Sequence, residues 1–294
     1  MKIGKKFIKI QDQIKNSKII ILKLTQLNAI ITFLQVFSIK LTHKKCIYLN
    51  TQNNTIKFLI DTTTFNSCSN NNEGGCIFYQ QEGEFVQDRV CSFASQVNSQ
   101  QTIGVYCKID ISNNNKNYIY DSSISKSGKE CFNGTRNVYL INGQIQIKSI
   151  NISFSKIYYR DFYEADKFSS GSISSFYTFS NSTSGYKANY FKLRHINSRE
   201  KYQIQNCNIL NNYDGNILQA DETTVYATKS NFINNNPTNY YFSGILTLDG
   251  CFVDINSPAI YGTVTFTNNI SSTIINDLSH FSTAACDAEI PILI

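Results

Sequence analysis

The chain has 294 residues, 41% of them hydrophobic and 13% aromatic, which supplies enough apolar surface for a core and excludes a globally disordered polypeptide. Only three prolines and 14 glycines occur, which excludes the collagen-like, Pro-rich and flexible-linker classes. The net charge of +6 sits at one end: residues 1–45 hold ten Lys and one acid, Asp12, for +9, leaving 27 − 10 = 17 basic and 21 − 1 = 20 acidic residues, net −3, beyond them.

In chain order, residues 1–45 form a basic and apolar N-terminal segment. Lys2, Lys5, Lys6, Lys9, Lys15, Lys18 and Lys23 precede the apolar run 24–39, the charge order of a secretory signal, with Ser38 as a cleavage position. That run is shorter than the roughly 20 residues a membrane helix needs, so any membrane association is expected through this segment alone. The competing expectation is a cap over the open end of a repetitive β fold.

Residues 46–294 read as one domain of short β-branched and aromatic runs, at 55–60, 76–79, 103–109, 138–141, 144–150, 223–228, 244–248 and 263–267. No helical apolar period extends over three turns after residue 50, so the crossover helices of a doubly wound or barrel enzyme are not expected. Asn clusters follow apolar runs at Asn211-Asn212, Asn234-Asn235-Asn236 and Asn268-Asn269, and Asn tolerates the left-handed conformation of tight corners. Residues 206–212 match 229–235 at an offset of 23, Phe252 follows Phe232 by 20, and Cys68 and Cys91 lie 23 apart. A period of 20 to 25 suits one coil of a three-sided solenoid, so the expected fold is all-β, a right-handed parallel β-helix, with an antiparallel β-sandwich as the alternative.

Gly74-Gly75-Cys76-Ile77 resembles the Gly-Gly-Ala-Ile motif, and Phe232-Ile233-Asn234-Asn235 the Phe-x-x-Asn motif, of polymorphic membrane protein-type β-helix repeats. The body also resembles large β-helix surface-protein families of parasitic protists such as trichomonads. That resemblance implies a right-handed β-helix, extracellular display and a role in adhesion.

Catalytic chemistry finds little support. Glycoside hydrolysis needs two carboxylates facing each other across the scissile bond, and the Asp-Asp, Asn-Thr-Asp, Gly-His-Gly and Arg-x-Lys motifs of polygalacturonases are missing. Asp214, Asp221 and Glu222, with Lys229 or Arg194, are the nearest approach to a lyase set and are expected as solvated turn or outer-face residues. His43, His195 and His280 share no metal-ligand spacing, and no cysteine pair has the two-to-four-residue gap of structural zinc, so neither metal nor cofactor is expected. The nine cysteines include Cys68, Cys76, Cys91 and Cys107, for which disulfides Cys68–Cys76 or Cys91–Cys107 are candidates, with buried thiols as the competing expectation. Asn53, Asn133, Asn151, Asn181 and Asn269 are N-glycosylation sequons if the chain is secreted.

The expected function is binding at a cell surface or outside the cell, to a glycan or a host or cell-surface protein, with Tyr158, Tyr159, Tyr240 and Tyr241 as exposed contacts. A divergent polysaccharide lyase or glycoside hydrolase is the rival. Nucleic acid is not an expected partner, because no Lys/Arg stripe interleaved with aromatics appears beyond residue 45.

Overall fold

In the computed structural model the described residues are 34–37, 40–44, 47–50, 57–70, 73–80, 83–98, 100–112, 114–128, 134–158, 160–195, 200–235, 242–254 and 260–274. They form 22 strands: β1 (Leu34–Phe37), β2 (Lys40–Lys44), β3 (Ile47–Asn50), β4 (Lys57–Asn70), β5 (Ile77–Gln80), β6 (Glu84–Phe93), β7 (Gln96–Val97), β8 (Cys107–Asp110), β9 (Lys116–Ser125), β10 (Arg136–Ile141), β11 (Gln144–Ser153), β12 (Lys156–Ile157), β13 (Arg160–Asp166), β14 (Ile173–Ser180), β15 (Thr183–Arg194), β16 (Lys201–Gln205), β17 (Asn208–Leu210), β18 (Tyr213–Thr228), β19 (Asn231–Ile233), β20 (Phe242–Asp249), β21 (Phe252–Val253) and β22 (Ile260–Thr267). Every strand pair is parallel. This is a β-solenoid, and the antiparallel sandwich is set aside.

One face, called X here, stacks β1, β4, β6, β9, β11, β14, β16, β18, β20 and β22 in succession. Its register steps from residue 58 to 85, 117 and 145, then from 146 to 173, 203, 226, 247 and 265, so a coil takes between 18 (265 − 247) and 32 (117 − 85) residues. The expected spread of 20 to 25 is too narrow. A second face, Z, stacks β3, β5, β8, β10, β13, β15 and the first half of β18. A short third face, Y, is made by the second halves of β4, β6, β9, β11 and β14 and by β17, β19 and β21.

The ladder starts at Leu34, because β1 and β2 both pair with β4, so the solenoid begins upstream of the boundary expected at residue 46. Residues 1–33, which carry most of the expected signal or cap, lie outside the described residues.

The corners explain why the sequence is rich in Asn at fixed places. Corner A, between X and Y, stacks Arg89, Asp121, Ser149, Phe176, Asn206, Lys229, Gly250 and Asn268, all with positive φ. Corner B, after Y, stacks Ser67, Ala94, Lys126, Phe154, Asn181, Asn211 and Asn234, again all positive. Asn211, Asn234 and Asn268 are therefore corner residues, as their clustering suggested.

The residue after corner B does a different job. Backbone N–H groups turned inward there need acceptors, and the next coil supplies them: Ser155 N donates to Ser182 Oγ (3.2 Å), Ser182 N to Asn212 Oδ1 (3.1 Å) and Asn212 N to Asn235 Oδ1 (3.2 Å). In Asn211-Asn212 and Asn234-Asn235 the first residue bends the chain and the second satisfies the coil below. The match of 206–212 to 229–235 is the true register, since Asn208 pairs Asn231. Phe252 pairs Asn231 rather than Phe232, so that offset is 21 (252 − 231). Phe65 pairs Ser92 and Thr64 pairs Cys91, so Cys68 and Cys91 are not equivalent positions.

Two glycines before face Z are needed for space. Gly74 has φ +70, and a Cβ on Gly75 would sit 2.0 Å from the Val105 carbonyl oxygen of the next coil. Inward residues fill the tube with aromatics, densest between β13 and β16. Phe162 lies 5.2 Å from Phe179 and 5.4 Å from Tyr190, and Tyr163 Oη is 2.9 Å from Tyr202 Oη.

Cys76, Cys107, Cys207 and Cys251 are free, buried thiols, whereas Cys68 and Cys91 are disulfide-bonded. Neither Cys68–Cys76 nor Cys91–Cys107 forms. Parallel stacking puts Cys107 over Ile77 and leaves Cys76 Sγ 2.9 Å from Ser95 Oγ. Burial pushes Cys76 and Cys207 up to about 12 and Cys251 up to about 11, so all three stay protonated below pH 10. Iodoacetamide at pH 9 is expected to leave these four thiols unlabelled in the native chain and to label all four in guanidinium, read by peptide mass mapping. Labelling of Cys76 in the native state would refute the buried interior assigned to it.

Candidate binding face

Side chains alternate in and out along a strand, so register decides which residues of face X meet solvent. On the five successive rungs from β9 to β18 the outward positions carry Lys116, Tyr118 and Tyr120; Gln144, Gln146 and Lys148; Ile173 and Ser175; Lys201, Gln203 and Gln205; Thr224, Tyr226 and Thr228. Between them Asn117, Ile119, Ile145, Ile147, Tyr202, Ile204, Val225 and Ala227 point into the tube. The sheet is thus backed by a packed interior.

The outward groups order one another. Tyr118 Oη donates to Gln144 Oε1 (2.5 Å) and Tyr120 Oη to Gln146 Oε1 (2.7 Å), each reaching one coil along the axis, with the two rings 5.4 Å apart. Partial burial, then the neighbouring Tyr118 and Asp88, pushes the Tyr120 hydroxyl up to about 12, and partial burial followed by Glu84 raises that of Tyr118. Both hydroxyls therefore remain donors at neutral pH. Because the carbonyl oxygens of Gln144 and Gln146 are occupied by the tyrosines, their Nε2 groups are turned to donate elsewhere. Further along, Tyr226 is 37% exposed with Lys201 Nζ 5.4 Å from its ring centroid, and Gln205 Nε2 donates to Gln203 Oε1 (3.2 Å).

Tyr158 is half-buried, its backbone N–H donating to Gly134 O (3.1 Å), and it does not belong to this face. Tyr159, Tyr240 and Tyr241 lie outside the described residues. Composition offers tyrosines among amides, and only the strand register distinguishes an outward tyrosine such as Tyr118 from an inward one such as Tyr202.

Charged groups also gather on face Z. The Arg136 guanidinium lies over the Tyr139 ring (4.4 Å), its Nε donates to Glu164, and it stands 4.0 Å from Asp161. Arg194 donates twice to Asp166 (3.0 and 2.7 Å), which also accepts from Tyr139 Oη (3.3 Å). Arg136, Asp161, Glu164 and Asp166 are all buried, so the cluster is a packed ionic knot that presents no carboxylate to a substrate. Of the residues considered for lyase chemistry, Arg194 and Asp221 stand opposite each other on adjacent rungs of face Z. Asp221 pairs with Lys192 (3.4 Å) and Arg194 with Asp166, Glu222 and Lys229 sit at corners, and the side chain of Asp214 lies outside the described residues. His195 packs its ring 5.2 Å from Phe168; the side chain of His43, and His280, lie outside the described residues. Among the described residues no group of three His, Cys, Asp or Glu is placed to hold a metal ion.

Of the sequons, Asn151 is buried on face Y with its amide directed at Ser153 Oγ (3.3 Å), Asn181 is a half-buried corner-B residue and Asn269 is exposed; Asn53 and Asn133 lie outside the described residues. No helix among the described residues is long and apolar enough to cross a membrane. No protein-family model matches the chain, and no curated protein or solved structure is significantly similar to it.

Proposed function

We propose that this chain is a secreted or cell-surface β-solenoid that acts by binding, and that face X takes an extended carbohydrate chain lying along the solenoid axis. The observation that carries the reading is the paired Tyr118–Gln144 and Tyr120–Gln146 hydrogen bonds, which tie two rings and two amides together on the outward side of the sheet. Rings supply stacking area for sugar faces and amides supply directed donors, and groups already immobilised lose little entropy when a ligand arrives. Tyr226 adds a second platform four rungs away, about 19 Å at the usual strand spacing, a span suited to a linear oligosaccharide. The disulfide state of Cys68 and Cys91 supports an oxidising compartment, and an adhesive role follows from display of such a face.

The rival, cleavage of a polysaccharide, would need carboxylates open to substrate, and those of the face-Z knot are buried. The binding reading is tested with the full chain on immobilised glycans. Tyr118→Ala and Tyr226→Ala are each expected to weaken binding about tenfold, as loss of an aromatic contact commonly does. Unchanged affinity in both variants would sink the proposal. Display is tested with an epitope tag after Ile294, which intact cells are expected to expose to antibody.

A further inference from the structure

Across the five rungs from β9 to β18, the outward positions of face X include three lysines and no carboxylate. Lys116, Lys148 and Lys201 are all exposed, and none is in an ion pair with another described residue. Acids stand at the margins: Glu84 and Asp88 on the rung before, Asp249 on the rung after, Asp121 at corner A, and Glu200 and the exposed Glu222 ahead of the face-X runs of β16 and β18. The neutral groups lean the same way. The oxygens of Gln144 and Gln146 each already accept one hydrogen bond from a tyrosine, which weights these amides toward donating their N–H groups.

A surface of this kind matches a ligand that accepts hydrogen bonds and carries negative charge at intervals along its length. We propose that the ligand of face X is an anionic linear polysaccharide, carboxylated or sulfated, whose charged groups pair with Lys116, Lys148 and Lys201 while its sugar rings lie on Tyr118, Tyr120 and Tyr226. This rests on the carbohydrate reading above and adds the charge class. In the sequence the three lysines are separated by 32 (148 − 116) and 53 (201 − 148) residues, so no linear scan finds a basic stripe; coiling assembles it.

The test uses the full chain and four immobilised polymers: a carboxylated polyuronate, a sulfated galactan, a neutral xylan and single-stranded RNA. The wild type is expected to bind one or both anionic glycans at least tenfold more tightly than xylan, with affinity falling as salt rises. The triple variant Lys116→Gln/Lys148→Gln/Lys201→Gln is expected to lose tenfold or more on the anionic glycan with an unchanged melting temperature, because these exposed side chains carry little of the fold. The two anionic arms separate carboxylate from sulfate. Equal binding of xylan, with the triple variant unaffected, overturns the charge inference and leaves the carbohydrate face standing. Binding of RNA alone, or of no polymer, overturns both.

Discussion

Arg136→Met is expected to destabilise the folded chain by about 3–5 kcal/mol, because it leaves Glu164 and Asp161 buried without the cation between them. The measurement is urea denaturation of the full chain followed by circular dichroism. Glu164 is wholly buried, and one of its carboxylate oxygens has no hydrogen-bond partner even with Arg136 present, so it has little to fall back on. The double variant Arg136→Met/Glu164→Leu is expected to recover much of the loss, since removing both charges also removes the cost of desolvating them. A single variant within about 1 kcal/mol of wild type would show that the knot does not hold the coils of β10 and β13 together.

Phe162→Ala is expected to cost about 3–5 kcal/mol, the usual toll for emptying a fully buried aromatic site. Its ring fills the tube between Phe179 and Tyr190, contributed by β14 and β15, so truncation opens a void shared by three strands. Each coil touches only its neighbours in a solenoid, and a void in a middle coil weakens the link between the two halves. The denaturation curve is therefore expected to broaden as well as shift, whereas a plain shift without change of slope would mean the halves still unfold as one unit.

Much of the architecture was legible in the sequence, and the misses have definite causes. The Asn corners at Asn211, Asn234 and Asn268 were readable because Asn is favoured in the left-handed region. The corners at Phe154, Phe176 and Lys229 were not, because nothing in those side chains marks positive φ and only the stacked register imposes it. The strands between 160 and 194 went unread, since their inward residues mix Tyr and Phe with Ser and Thr and their outward residues are not uniformly polar. Gly74, Gly104 and Gly134 recur every 30 residues with positive φ ahead of successive face-Z strands, a usable period hidden by coils of unequal length. The Gly74-Gly75 pair stands out in the sequence as a motif; its physical basis is one left-handed turn and one backbone contact too close for a methyl group. For the proposed binding face, composition offers tyrosines among amides, but choosing among them needs register, because a one-residue shift exchanges inside for outside.

Coil length varies, yet the variation is confined. In the six coils where both bends are described, corner A to corner B runs 89 to 94, 121 to 126, 149 to 154, 176 to 181, 206 to 211 and 229 to 234, always five residues, while the remainder of those coils absorbs the difference between 21 (250 − 229) and 32 (121 − 89). Face Y and its two flanking bends therefore act as a ruler that keeps successive coils in phase, and the rest of the circumference is free to lengthen. A foreign peptide inserted on the far side, between corner B and face Z, leaves the count along the ruler untouched. The same peptide inserted inside the five-residue arc displaces two bends at once and throws every later coil out of step.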